Sequence, residues 1–198
     1  MKKSILVAAA LLMAALGANA QNGYDSKHEV ALGYGVYSNT QMLDAFTVYA
    51  TTEAGATFSN EKYSGMVVGE YLYRVNRWLG VGCDFVYGIS SMDFSTVAGV
   101  DKEGHTTSRY FTLMPAVKFD WLRTKFVGLY SKLALGATVC NWKNEYVDGR
   151  DDATDNVFLF NFQASLLGVE AGGPHFRVFL EGGMGEQGVV TFGLRYKI

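Results

Sequence analysis

The chain has 198 residues, of which 49% are hydrophobic, 14% aromatic and only 18% charged, with 23 Gly against 2 Pro and a formal net charge of −2. Charged residues make up about 25% of an ordinary soluble domain, so fewer are present than a fully water-facing surface normally carries. A slightly acidic chain without a Lys/Arg run lacks the electrostatic footprint of a nucleic-acid binder, and the length suits one domain.

The N-terminus reads as an address. Met1-Lys2-Lys3-Ser4 is a short basic region, Ile5 to Gly17 is an apolar run, and Ala18-Asn19-Ala20 is a small-x-small cleavage site before Gln21. These are the three parts of a secretory signal peptide, and the run is shorter than the roughly 18 apolar residues of a membrane-anchoring helix. The expected organisation is residues 1–20 as leader and residues 21–198 as one exported domain with no transmembrane helix. Cys83 and Cys140 are too few for a disulfide scaffold and fall on non-neighbouring strands facing opposite ways, so both are expected to be free thiols.

Period-two alternation runs through the exported part. It predicts strands near residues 29–37, 67–75, 79–88 and 109–122, then near 125–141, 157–171, 176–185 and 189–198. The count is eight, and the lengths suit a transmembrane β-span of about 9–11 residues. Connections at Asn76-Arg77, Arg123-Thr124 and Gly172-Gly173-Pro174-His175 are tight, whereas those at 38–65, 89–108 and 142–156 are long and polar. Around Glu186-Gln187-Gly188 the last connection on that second side is short. Short turns on one rim and long loops on the other are the mark of outer-membrane barrels.

The faces identify the solvent. In the last strand Val190, Phe192, Leu194, Tyr196 and Ile198 oppose Thr191, Gly193, Arg195 and Lys197, and Phe111, Leu113, Val117 and Phe119 oppose Tyr110, Thr112, Lys118 and Asp120. A soluble sandwich would bury the apolar face and wet the charged one. A lipocalin-like barrel would line its cavity with apolar residues. Lipid outside and polar groups inside account for the faces, the leader and the loop sorting together. The fold class expected is an all-β, eight-stranded antiparallel up-and-down transmembrane barrel. Its inward charges would be Glu70, Arg74, Asp84, Lys118, Asp120, Lys132, Arg177, Glu181, Arg195 and Lys197.

Thr191-Phe192-Gly193-Leu194-Arg195-Tyr196-Lys197-Ile198 resembles the terminal assembly signal of bacterial outer-membrane barrels, through Thr191, Gly193, Tyr196 and Ile198, with Ile where Phe is commonest. The whole exported part is similar to the small eight-stranded outer-membrane barrel family of the OmpX and OmpA-transmembrane-domain type. That resemblance implies residence in the bacterial outer membrane among lipid and lipopolysaccharide, and delivery there by the barrel-assembly machinery. It carries little about activity.

Two functional readings follow. In the first the protein is structural or acts through its extracellular loops on a surface partner, with the lumen closed by paired charges. The second is a narrow channel for ions or small solutes. An eight-stranded barrel has room inside mainly for side chains, which favours the first. A lipid-modifying enzyme would need a constellation such as Asp101, His105 and Ser108, but the charged interior opposes an acyl-chain pocket, so no catalytic residue and no cofactor are expected. Glu145, Asp148, Asp151, Asp152 and Asp155 offer carboxylates to a divalent cation, but not at EF-hand spacing and with Arg150 in their middle, so a solvated surface loop is expected. His28 and His175 lie near the opposite rim with no Cys or carboxylate cluster at metal-ligand spacing. Met42-Leu43-Asp44-Ala45-Phe46 is an apolar patch in the first loop, placed in a helical turn after Asn39 or Thr40 and expected to pack back on the loop base.

Overall fold

The computed structural model describes residues 26–53, 57–95, 104–146 and 153–198. Eight antiparallel strands close into a barrel in chain order. They are β1 (His28–Val36), β2 (Thr57–Arg74), β3 (Leu79–Ser95), β4 (Gly104–Arg123), β5 (Val127–Tyr146), β6 (Ala153–Gly172), β7 (Phe176–Gly185) and β8 (Val190–Lys197). One helix, α1 (Asn39–Glu53), stands between β1 and β2. Pairing of β1 with β8, from Glu29↔Lys197 to Val36↔Val190, closes the ring. Residues 1–20, where a leader and its cleavage site are expected, lie outside the described residues.

The apolar surface is on the outside. Leu32, Val67, Phe85, Leu113, Leu133, Leu135, Phe192 and Leu194 alternate with buried polar residues and project from the barrel, while the largest fully buried side chains include Arg195, Lys118 and Lys197. Such an inversion is stable only where the surroundings are hydrocarbon, and a closed barrel satisfies every strand's backbone groups there. Trp78, Trp121, Phe126 and Phe176 are exposed beside the short turns and form the aromatic girdle of that rim. No described helix is long and apolar enough to cross a membrane; the strands cross it.

Several strands run further than their alternation suggests. β2 begins at Thr57 rather than near residue 67, β3 continues to Ser95, β4 starts at Gly104, β5 continues to Tyr146 and β6 starts at Ala153. Beyond the bilayer both faces of a strand meet polar surroundings, so the period-two signal fades while hairpin pairing persists, as in Ser90↔Ser108 and Ser91↔Thr107. In β2 two bulges added turn-like residues to the pattern: Asn60 and Gly65 adopt φ of 54° and 69°, where the β2–β3 register shifts.

The strands form two groups by length. β1, β7 and β8 have 9, 10 and 8 residues, at or just under the about 9–11 needed to cross a bilayer. By contrast β2 and β3 have 18 and 17, and β4, β5 and β6 each have 20. The wall is therefore high from β2 to β6 and low from β7 through β8 to β1, and α1 enters at the low side. Its start is a capping box: the Gln41 N–H donates to Ser38 Oγ (3.2 Å) and the Ser38 N–H to Gln41 Oε1 (3.1 Å). The first connection thus holds a helix of 15 residues rather than a single turn.

Candidate functional site

The interior is one interlocked set of ion pairs, and all ten inward charges named from the sequence are buried in it. Nearest the short turns, Glu29 accepts from Arg74 Nε (2.9 Å) and Nη2 (2.7 Å) and from Lys118 (3.0 Å), while Asp120 pairs with the other Arg74 nitrogen. Glu170 accepts from Arg177 (2.9 Å), Arg195 (2.8 Å) and Lys197. Higher up, Lys132 sits among Glu70, Glu181 (3.2 Å) and Asp84 (3.4 Å), and Arg195 reaches Glu70 at 2.5 Å. Tyr130 and Ser165 donate to Glu181 at 2.7 and 2.6 Å.

Small residues make room for this packing. Phe179 points inward over Gly33, and its ring lies 4.9 Å from the Arg195 guanidinium, which also covers Tyr130 at 4.8 Å. A Cβ on Gly193 would stand 2.2 Å from the Leu32 carbonyl oxygen, so only glycine fits there. Of the four C-terminal residues singled out, Thr191 is buried inward, Gly193 pairs with Gly33, and Tyr196 is covered by Phe176 at 4.5 Å between ring centroids. Ile198 exchanges backbone hydrogen bonds with His28 at 2.8 and 3.1 Å, fastening the C-terminus to β1.

Three inward acids were missed from the sequence: Glu29, Glu170 and Glu186. Glu29 shares parity with Ala31 and Gly33, so face assignment in β1 would have found it. Glu170 was concealed by a bulge: β6 shifts register between Ser165 and Leu167, so Gln163 and Glu170 point inward from opposite parities. Glu186 lies in the β7–β8 turn. The ten charges named from the sequence are six basic and four acidic; adding these three acids makes the balance six to seven.

Glu186 closes the upper end of the network. Its carboxylate accepts from the Thr40 N–H (3.2 Å), the Thr40 hydroxyl (2.6 and 2.7 Å) and Asn161 Nδ2 (2.8 Å). One turn along α1, Asp44 accepts a hydrogen bond from the Tyr110 hydroxyl. Burial pushes both the Glu186 and Asp44 carboxyls above the ordinary carboxylate range, despite the donors around them. The polar side of α1 is thereby held across the mouth of the barrel.

The other candidates come apart. His105 pairs with Asp93 at 2.6 Å on the outer face of the wall, while Ser108 is buried on the inner face and Asp101 lies outside the described residues. No base–nucleophile pair forms there. Asp148, Asp151 and Asp152 also lie outside the described residues, and Glu145 is bridged by Lys143 at 2.6 Å. Among the described residues no three His, Cys, Asp or Glu side chains are placed to hold a metal ion. His28 bonds Tyr71 at 2.9 Å and His175 bonds the Lys197 carbonyl at 3.1 Å, both at the short-turn rim. Cys83 is exposed, Cys140 is buried, and both are free.

No family model and no characterised relative matches the sequence. Among solved structures the chain is similar to Ail, the attachment invasion locus protein of Yersinia pestis. In its complex with the heparin analogue sucrose octasulfate, identity is 16% and the TM-score 0.49. A second crystal structure of Ail gives 13% and 0.42, and each match covers 86% of this chain and 99% of the other. At such scores the fold assignment rests on the barrel itself. A closed eight-stranded ring, a lipid-facing belt and a charged interior are the architecture of the small outer-membrane barrels, and the bacterial outer membrane is where this protein resides.

Proposed function

We propose that the protein is a non-conducting outer-membrane barrel whose work is done on the outside of the cell, as a structural or surface-interaction protein. The observation that carries this reading is the occupied interior: Lys132 and Arg195 are locked among Glu70, Glu170 and Glu181, and α1 lies over the mouth held by Glu186. An eight-stranded barrel has space mainly for side chains, and here that space is taken up by mutually paired ones. What the chain offers to other molecules is the upper part of the tall β2–β6 wall, which rises above the lipid-facing belt. Outer-membrane lipid and lipopolysaccharide surround the belt in this reading. Thr191, Gly193, Tyr196 and Ile198 present the closing strand to the assembly machinery.

Solute flux tests it. Liposomes containing the purified full-length barrel should swell in small sugars no faster than empty liposomes. Faster swelling that scales with the amount of protein would replace this reading with a narrow solute channel.

A further inference from the structure

The two faces of α1 are reversed relative to a helix in a water-soluble protein. Thr40 and Asp44, one turn apart, are both tied to the lumen, the first by Glu186 and the second by Tyr110. At about 100° per residue those ties fix the rotation of the helix. Met42, Leu43, Phe46 and Tyr49 are left pointing away from the barrel axis, with Phe46 68% and Tyr49 65% exposed. Asp44 is the only charged residue from Asn39 to Thr52, and it is on the other side.

That outward face is flanked by belt residues on both sides. Met42 and Leu43 share a groove with Phe160 and Phe162 of the β6 belt, where Phe160 is 77% exposed, and with Leu159, which packs toward the interior. On the other side Met42 and Ala45 share a groove of about 370 Å³ with Tyr34 and Val36 of β1 and Tyr63 of β2. The apolar surface is therefore continuous from β6 across α1 to β1 and β2, above the low section of wall formed by β7 and β8. A surface made for a protein partner has a polar rim around its apolar centre, whereas this patch merges into more apolar surface.

We propose that the outer face of α1 is a docking surface for the acyl chains of outer-leaflet lipid. The helix serves as the missing piece of barrel wall, polar toward the lumen and apolar toward hydrocarbon. Tyr49 has the amphipathic ring favoured where hydrocarbon gives way to headgroups. The inference rests on the bilayer-spanning reading of the barrel, and its test separates the two.

Nitroxide labels at Phe46→Cys and Tyr49→Cys, and at Leu133→Cys on the strand belt, are introduced into a Cys83→Ala, Cys140→Ala background. Each full-length variant is placed in phosphatidylcholine–phosphatidylglycerol vesicles. Collisions with lipid-soluble oxygen are compared with those of a water-soluble nickel chelate. Oxygen should dominate at Phe46 as it does at Leu133, with Tyr49 intermediate. Nickel dominating at Phe46 while oxygen dominates at Leu133 would overturn the inference and leave the barrel in the bilayer. Exclusion of both reagents from Phe46 would also overturn it, by showing a protein cover. Nickel dominating at both sites would remove the bilayer reading itself. Should Phe46→Cys fail to fold, Met42→Cys reads the same face.

Discussion

Thr40 and Glu186 meet across the mouth of the barrel, the Thr40 hydroxyl at 2.6 and 2.7 Å and its N–H at 3.2 Å from the carboxylate, joining the first connection on that rim to the last. Burial raises the Glu186 carboxyl, and likewise that of Asp44, above the ordinary range. A carboxyl whose folded value lies above its unfolded one favours the docked helix at low pH. That contribution is lost as pH rises from the ordinary carboxylate value through the raised one. Hydrogen exchange in α1, corrected for intrinsic rate, should show protection falling across that window. Glu186→Gln with Asp44→Asn should flatten the dependence, and protection that rises with pH would contradict the sign.

The Ser38–Gln41 capping box predicts a second effect on the same helix. Ser38→Ala leaves the Gln41 N–H without its acceptor and should destabilise the start of α1 by about 0.5–2 kcal/mol. Faster exchange confined to the first turn of α1, with the strands unchanged, is the expected readout. Unchanged exchange in that turn would show that the Glu186 tether alone holds the helix.

The belt predicts a cost that depends on depth. Leu133→Arg and Phe192→Arg, in the belt away from the aromatic girdle, should each cost roughly 2–4 kcal/mol in a urea titration of the barrel in lipid vesicles. Phe119 is stacked on Trp78 of the girdle, with ring centroids 6.2 Å apart, so Phe119→Arg should cost only about 0–1 kcal/mol. Equal losses at all three positions would contradict the placement of the belt.

Much of this was legible because lipid imposes strict alternation. The parity of Glu70, Lys118, Arg177 and Arg195 follows from their apolar neighbours, and the loop sorting follows from the positions of Asn76, Arg123 and Gly173. What escaped detection did so for local physical reasons. Outside hydrocarbon the strands keep their pairing and lose their period, so Thr57 and Ser95 read as loop. The bulge between Ser165 and Leu167 reversed the parity that would have exposed Glu170. Ser38-Asn39-Thr40-Gln41 carries a legible capping signal for α1, but the rotation of that helix depends on Glu186, which is 146 residues away in sequence and invisible to any local pattern.

Glycine positions give a stereochemical test. Gly193→Ala would drive a Cβ to 2.2 Å from the Leu32 carbonyl oxygen and 2.5 Å from Gly33 Cα, whereas a Cβ on Gly80 meets nothing closer than 3.8 Å. Gly193→Ala should lower barrel stability by at least the roughly 1–3 kcal/mol typical of overpacking, and Gly80→Ala should be close to neutral. Comparable unfolding midpoints for the two variants would contradict the close approach of β1 and β8.

The closed lumen is tested most directly by single-channel conductance of the wild-type barrel in planar bilayers, recorded beside Lys132→Ala. Removing Lys132 takes away the cation that Glu70, Asp84 and Glu181 share, leaving Arg195 beside Glu70 and Glu181 but only the Gln187 amide beside buried Asp84. The variant should therefore be less stable by roughly 3–5 kcal/mol and should leak intermittently. The wild type should show no steady conductance. Steady ohmic conductance from the wild type, unchanged in the variant, would contradict the plug of paired charges and make the protein a channel.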